Sequence, residues 1–295
     1  MISFYESNAM GRIDCIVDKN SFIEILPPQE KIQSPHLNKL NIATSFNDGI
    51  IIGKAKIDSK PILVASQEGK FMGGTIGEVH GAKLLGLLKK AIIDNVSAVF
   101  IIIDSGGVRL HEANAGLISI SEIMRAIFEV RKNNIPVYAI VGSQNGCFGG
   151  MGIVSGCCNS IIMNEEGRLG LSGPEVIETV NGVEEFDSKD KPLVWRTLGG
   201  KHRFIMNSIE MIVDDTDEGF RSAVVSLVNS KREVSITYES LLKEHNRLAL
   251  DSETFKNAKD AKDIWKLKNV QEIDSISLLD NKAFLDVTIG VHDGV

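Results

Sequence analysis

The chain has few cysteines, few aromatic residues and no surplus of basic charge, and each shortage removes a class of function. Its four cysteines stand at positions 15, 147, 157 and 158. No Cys-x-x-Cys pair occurs, which excludes a zinc ribbon, and the adjacent Cys157 and Cys158 would close only a strained ring. They read as small buried hydrophobes in a reducing compartment. Aromatic residues make up 6% of the chain and the formal net charge is −7. With no long basic run, tracking of nucleic-acid phosphates is disfavoured. The apolar stretch at 97–103 stops at Asp104, far short of the roughly 18 residues a membrane-spanning helix needs. Residues 1–18 have neither a basic region nor an apolar core, so no secretory signal is expected. The chain reads as soluble and cytoplasmic, with no nucleic-acid or membrane partner.

The common catalytic fingerprints are absent too. No Gly-x-Gly-x-x-Gly occurs, and the glycines of 146–152 have the wrong offsets for a dinucleotide loop. Gly199-Gly200-Lys201 is followed by His202 rather than Ser or Thr, so it is not a phosphate loop. The segment 170–174 misses a nucleophile elbow at its last position, where Pro174 stands. The six histidines are scattered and form no His-Glu-x-x-His.

What is present is glycine, 27 residues of it, and a regular alternation of buried strands and helices along 295 residues. Residues 1–45 read as an irregular extension. Segments 47–56 and 61–66 read as a hairpin across a polar turn at 58–60. Apolar residues at helical spacing predict a helix over 78–94. The continuous run at 97–104 predicts a fully buried strand, followed by a helix over 113–131 and a second buried strand at 135–141. A short helix from 151, a strand at 160–163 and a helix from Pro174 follow. Strand–helix–strand with buried strands implies parallel pairing and right-handed crossovers. Residues 231–295 read as a charged, mostly helical, solvated segment, leaving 46–230 as the main α/β domain.

Two glycine loops therefore stand at the carboxyl ends of buried strands, Ser105-Gly106-Gly107 and 146–150. In open α/β sheets those ends are where ligands bind. Glycine lets a backbone N–H approach a ligand atom, and two such groups on one oxygen form an oxyanion hole. Gly106, Gly107, Gly149 and Gly150 are the candidates; the alternative is that they only shape tight turns. His111 and Glu112 follow the first loop as proton-donor candidates, although a lone histidine is more often structural and the glutamate reads also as a helix cap. Arg109 suits a carboxylate or phosphate, or a structural ion pair. Ser172-Gly173-Pro174 reads as a helix start, with Ser172 as N-cap, bordering an acyl pocket. Cys147 reads as packing.

These motifs occur in a recognisable order: GKFMGGTIGEVH at 69–80, DSGGVRLHE at 104–112, GCFGGMG at 146–152 and LSGPEVIE at 171–178. Together they resemble the β-type carboxyltransferase family of the crotonase (ClpP-like) superfold. RLHEANAGL at 109–117 and EEFD at 184–187 resemble most the β subunits of biotin-independent malonate decarboxylases. The resemblance covers about residues 10–230. It implies repeated ββα units in a spiral of stacked sheets, with a helical C-terminal appendage. It also implies a malonyl thioester substrate, decarboxylated to the acetyl thioester through an enolate. The thioester hangs on the coenzyme-A-like phosphopantetheine-type arm of an acyl carrier subunit, and a related γ subunit is the partner. Neither biotin nor a metal is expected. The rival resemblance is the carboxyltransferase β subunit of acetyl-CoA carboxylase. Bacterial forms of it commonly carry an N-terminal four-cysteine zinc ribbon, whereas only Cys15 stands near this N-terminus. A non-catalytic carrier-docking subunit is the other alternative.

Overall fold

Strand β4 (Ala98–Ile103) is buried along its whole length because helices cover both of its faces. In the computed structural model, which describes residues 3–230, 234, 236–288 and 290–291, it is the middle of a seven-stranded mixed sheet. The other strands, numbered along the chain, are β1 (Ile23–Ile25), β2 (Ile50–Ile57), β3 (Lys60–Gln67), β5 (Val137–Val141), β6 (Ser160–Asn164) and β7 (Met211–Val213). They lie in chain order across the sheet. The pairings β1–β2–β3 are antiparallel and β3 to β7 are parallel. Asp58 and Ser59, with φ of +50° and +65°, make the two-residue turn of the expected β2–β3 hairpin.

Alternation within the strands feeds two cores. Val99, Ile101 and Ile103 of β4, with Val137, Ala139 and Val141 of β5, face one side. There they meet α2 (Glu78–Asp94), α3 (Asn114–Lys132) and α4 (Gly150–Gly156). Phe100, Ile102, Tyr138 and Ile140 face the other side, covered by α1 (Ala9–Ile16) and α8 (Asp217–Asn229). Between α4 and α8 run α5 (Pro174–Asn181), α6 (Lys191–Leu198) and α7 (Gly200–Ile205); α9 (Tyr238–Phe255), α10 (Ala261–Leu267) and α11 (Asn281–Thr288) follow. Beyond the carboxyl ends of β4–β6 a second ladder of single bridges joins Ser105 to Cys147 and Cys147 to Leu169, with Ile76 bridged to Val108. These bridges tie the loops together beyond the single mixed sheet.

Two readings need correction. Residues 1–45 are not irregular. Asn8 caps α1 by accepting from the Gly11 N–H, and α1 buries Ala9, Ile13 and Ile16, while β1 extends the sheet. The C-terminal segment is not solvated throughout, although α9 buries no side chain. Trp265 of α10 and Phe284 of α11 enter the main core. The expected start of that segment, at 231–233, lies outside the described residues.

Candidate active site

The loops after β4 and β5 meet backbone to backbone. Gly107 has φ +122° and Gly149 φ +57°, and a Cβ built on Gly149 would stand 3.0 Å from the Gly107 Cα. A side chain at either position therefore forces the loops apart and strains the chain. Asp104, at the end of β4, holds the arrangement from behind. One carboxylate oxygen accepts from Arg12 Nη1 at 2.8 Å and the other from the Asn145 N–H at 2.9 Å. The Ser143 hydroxyl adds a 2.6 Å bond to the Ile103 carbonyl.

Most loop N–H groups are spent on this architecture. Ser105 donates to the Gly146 carbonyl, Gly106 to Gly73 and Arg109 to Ile76; Gly107 donates to the Ser105 hydroxyl. In the second loop Gly146 donates to Ser143, Cys147 to Arg168, Phe148 to Ser105 and Gly149 to Leu171. The N–H groups of Val108 and Gly150 have no acceptor among the described residues. The two residues are neighbours, since a Cβ on Gly150 would lie 3.2 Å from Val108 Cγ2. Of the four glycines the sequence nominated, only Gly150 thus offers an open donor. Val108 escaped notice because its side chain is unremarkable. The signal lies in its strand-like alternation: the Gly107 carbonyl and Arg109 N–H both pair with Ile76, so the Val108 N–H faces the other way.

The charged candidates fall elsewhere. Arg109 is wholly buried, with its Nη1 at 3.0 and 2.9 Å from the Asp48 carboxylate and 3.1 Å from Glu112 Oε1. It also stands over the Phe71 ring. This is a structural cluster, so Arg109 has no free fork for a substrate. Glu112 is equally enclosed. Burial alone would raise its pKa, but hydrogen bonds from Ser34 and the Glu78 N–H, with the Arg109 charge, leave it below the usual value. A carboxylate held ionised is a poor proton donor, which corrects that expectation. His111 is exposed on the turn between them. Ser172-Gly173-Pro174 does lie beside the second loop: Leu171 accepts from Gly149, and a Cβ on Gly173 would meet the Phe148 ring at 3.8 Å. The helix cap, however, is Gly173, with Pro174 as the first residue of α5 and no side-chain cap from Ser172. Cys147 is fully buried and its thiol is pushed up to about 12 by burial, so it packs and does not attack.

Residues 6–232 match the family model of the carboxyl transferase domain. The chain belongs to the carboxyl transferase family. It is 41% identical over 282 residues to the malonyl-S-ACP:biotin-protein carboxyltransferase MADC of Malonomonas rubra, covering 89% of this chain and 88% of that protein. It is 28% identical over 183 residues to the carboxyl transferase subunit beta of acetyl-coenzyme A carboxylase from Fusobacterium nucleatum, covering 59% of each. Among solved structures it superposes on a chain of the Pseudomonas malonate decarboxylase hetero-tetramer in complex with malonate. That match has a TM-score of 0.82 and 35% identity, over 90% of this chain and 97% of the other. The expected family and α/β fold both stand, and the acetyl-CoA carboxylase rival is the weaker match.

Proposed function

We propose that this carboxyl transferase is the β-type subunit of a malonate decarboxylase, and that its Val108 and Gly150 N–H groups hold the thioester oxygen during carbon–carbon cleavage. The observation that carries the reading is the pair of open donors on adjacent residues at the carboxyl ends of neighbouring strands. When the bond between the α-carbon and the carboxylate of a malonyl thioester breaks, CO₂ leaves. The electron pair moves through the α-carbon to the thioester oxygen. Two backbone donors meet that charge as it forms, and one such donor is worth on the order of 3 kcal/mol in a transition state. The pair then returns to carbon and takes a proton. His111 is the remaining side-chain candidate for supplying it. Ser172 and Gly173 border the acyl end, and Gly106, Gly107 and Gly149 act by holding the loops in register. The chain needs neither biotin nor a metal in this scheme.

The surroundings suit a protein partner. Leu110 beside the first loop, Leu117 and Ile118 on α3, and Leu171 and Val176 beside the second loop are all exposed. A γ subunit of related fold covering this face supplies the missing wall of the pocket, and an acyl carrier presents the malonyl group on its phosphopantetheine-type arm. No helix among the described residues is long and apolar enough to cross a membrane.

A second reading follows from the relative in Malonomonas rubra, whose name gives a biotin protein as the carboxyl acceptor. The enolate half is identical, and only the fate of the carboxyl differs. The chain, reconstituted with its partner, is offered a malonyl-S-carrier and CO₂ release is followed with and without avidin. Avidin-insensitive release supports decarboxylation. Turnover that requires a biotin protein and stops with avidin overturns it in favour of carboxyl transfer.

A further inference from the structure

A partly open cavity lies away from the glycine loops. It has a volume of about 450 Å³ and is walled by α6, α7, α10 and the turn around Ile276. The sequence contains two tryptophans, and both Trp195 and Trp265 line this space. The Trp265 indole N–H donates to His202 Nδ1 at 3.1 Å. His202 is 6% exposed, and burial, then the Arg203 charge, pushes its pKa down to about 3. The ring is therefore neutral, and with Nδ1 accepting, its proton sits on Nε2. That N–H has no acceptor among the described residues.

Glu166 lines the same space, and no other described residue holds its carboxyl. The cations around it are engaged. Lys201 bonds Glu165 at 2.8 Å and the Leu279 carbonyl at 2.7 Å. Arg196 is clamped on Asp260 and Lys262 on Asp274. An anion finds no free cation among these three, and the His202 N–H calls for an acceptor on the ligand. A flat neutral molecule with one acceptor and one donor meets an imidazole N–H, a carboxyl and the two tryptophans that line the space.

We propose that this cavity is a binding site for a neutral amino-heterocycle of nucleobase size, with a ring nitrogen accepting from His202 Nε2 and the exocyclic amine donating to Glu166. No residue of either glycine loop lines it, so the site is separate from the one that meets the thioester. It is not remote in mechanical terms. Val194 and Leu198 on the opposite face of α6 pack against Phe148, next to Gly149.

Because the cavity holds both tryptophans, the emission of the whole protein reports occupancy. The purified chain with its partner is titrated with adenosine, exciting on the red edge where the nucleoside does not absorb. Inosine, which presents N–H and carbonyl where adenosine presents ring nitrogen and amine, is the control. Saturable quenching by adenosine is expected, with inosine at least tenfold weaker. Glu166→Leu should weaken adenosine at least tenfold. His202→Gln keeps an acceptor for Trp265 and a donor for the ligand, so it should bind within a few fold of the natural chain. His202→Leu should abolish the response. Melting and near-ultraviolet dichroism establish that each variant is folded. No saturable quenching by the natural chain, equal response to inosine, or unchanged affinity in a folded Glu166→Leu protein overturns the site. Competition between adenosine and the malonyl thioester, seen as a raised KM at constant kcat, overturns its separateness.

Discussion

Arg109 stands where two carboxylates converge, and its burial sets a strict condition on the fold. Removing one partner of a buried charge cluster leaves the others uncompensated, at a cost of about 3–5 kcal/mol. Arg109→Met should therefore lower the unfolding free energy by that amount, seen as a lower urea midpoint with the slope of the transition unchanged. Nothing in the local sequence discloses this, because Asp48 lies 61 residues earlier in the chain. The donor pair makes an opposite prediction, in rate rather than stability. Val108→Ala keeps the N–H and should turn over within a few fold of the natural chain. Val108→Pro deletes it, and Gly149→Val pushes the loops apart; each should lower kcat by on the order of 10²-fold. Melting curves must show these variants folded. A folded Val108→Pro protein at full rate removes Val108 from the site. Two histidines carry a pH signature. His80 and His202 are pushed from 6.5 to about 3 in the folded chain, chiefly by burial. The unfolded chain therefore binds more protons between those values. Stability is fully present above the unfolded pKa and is lost as pH falls toward about 3, by about 1.4 kcal/mol per pH unit for each ring. Urea midpoints measured from about pH 7.5 down to about pH 5 should fall, and less steeply in His80→Gln.

Among the elements, those with a long clear period were legible and those anchored by a few residues were not. The helix over 78–94 carries Leu84, Leu87 and Leu88 on one face and forms with the expected bounds. The run at 98–103 is buried on both faces, as its composition predicts. By contrast, α1 is eight residues long with a buried Arg12 among its apolar positions, which hides its period. Helix α10 sits in charged sequence and commits only Ala261 and Trp265 to burial. Composition averages over such anchors, so the segment looked solvated throughout. The contrast is measurable. Trp265→Ala should cost about 3–5 kcal/mol, while Leu248→Ser on the exposed face of α9 should stay within about 0.5 kcal/mol. Equal costs in denaturant would mean that the two helices share one environment. For the candidate site, the glycine motifs point to two loops that do meet, but which N–H groups stay open depends on partners such as Gly73, Arg168 and Leu171, which sequence spacing does not reveal.

At the scale of the molecule, the first residues close the structure. Ser3 hydrogen-bonds Asp215, Phe4 stacks on Phe220 at 3.9 Å between ring centroids, and Arg12 supports Asp104 behind the first glycine loop. A chain that starts after residue 16 should therefore keep its helical signal but lose turnover and melt at lower temperature. Unaltered kinetics in such a shortened protein would separate Arg12 from loop placement. The same contacts impose an order in time. Synthesis runs at roughly 5–20 residues per second, so roughly 10–40 s separate the appearance of Arg12 from that of Phe220. During that interval the sheet face of Phe100, Tyr138 and Ile140 has no α8 to cover it. The nascent chain emerges with its founding segment in hand and nothing yet to dock it on. Catalytic competence thus waits on the appearance of α8, and until then the growing chain carries a bare apolar face.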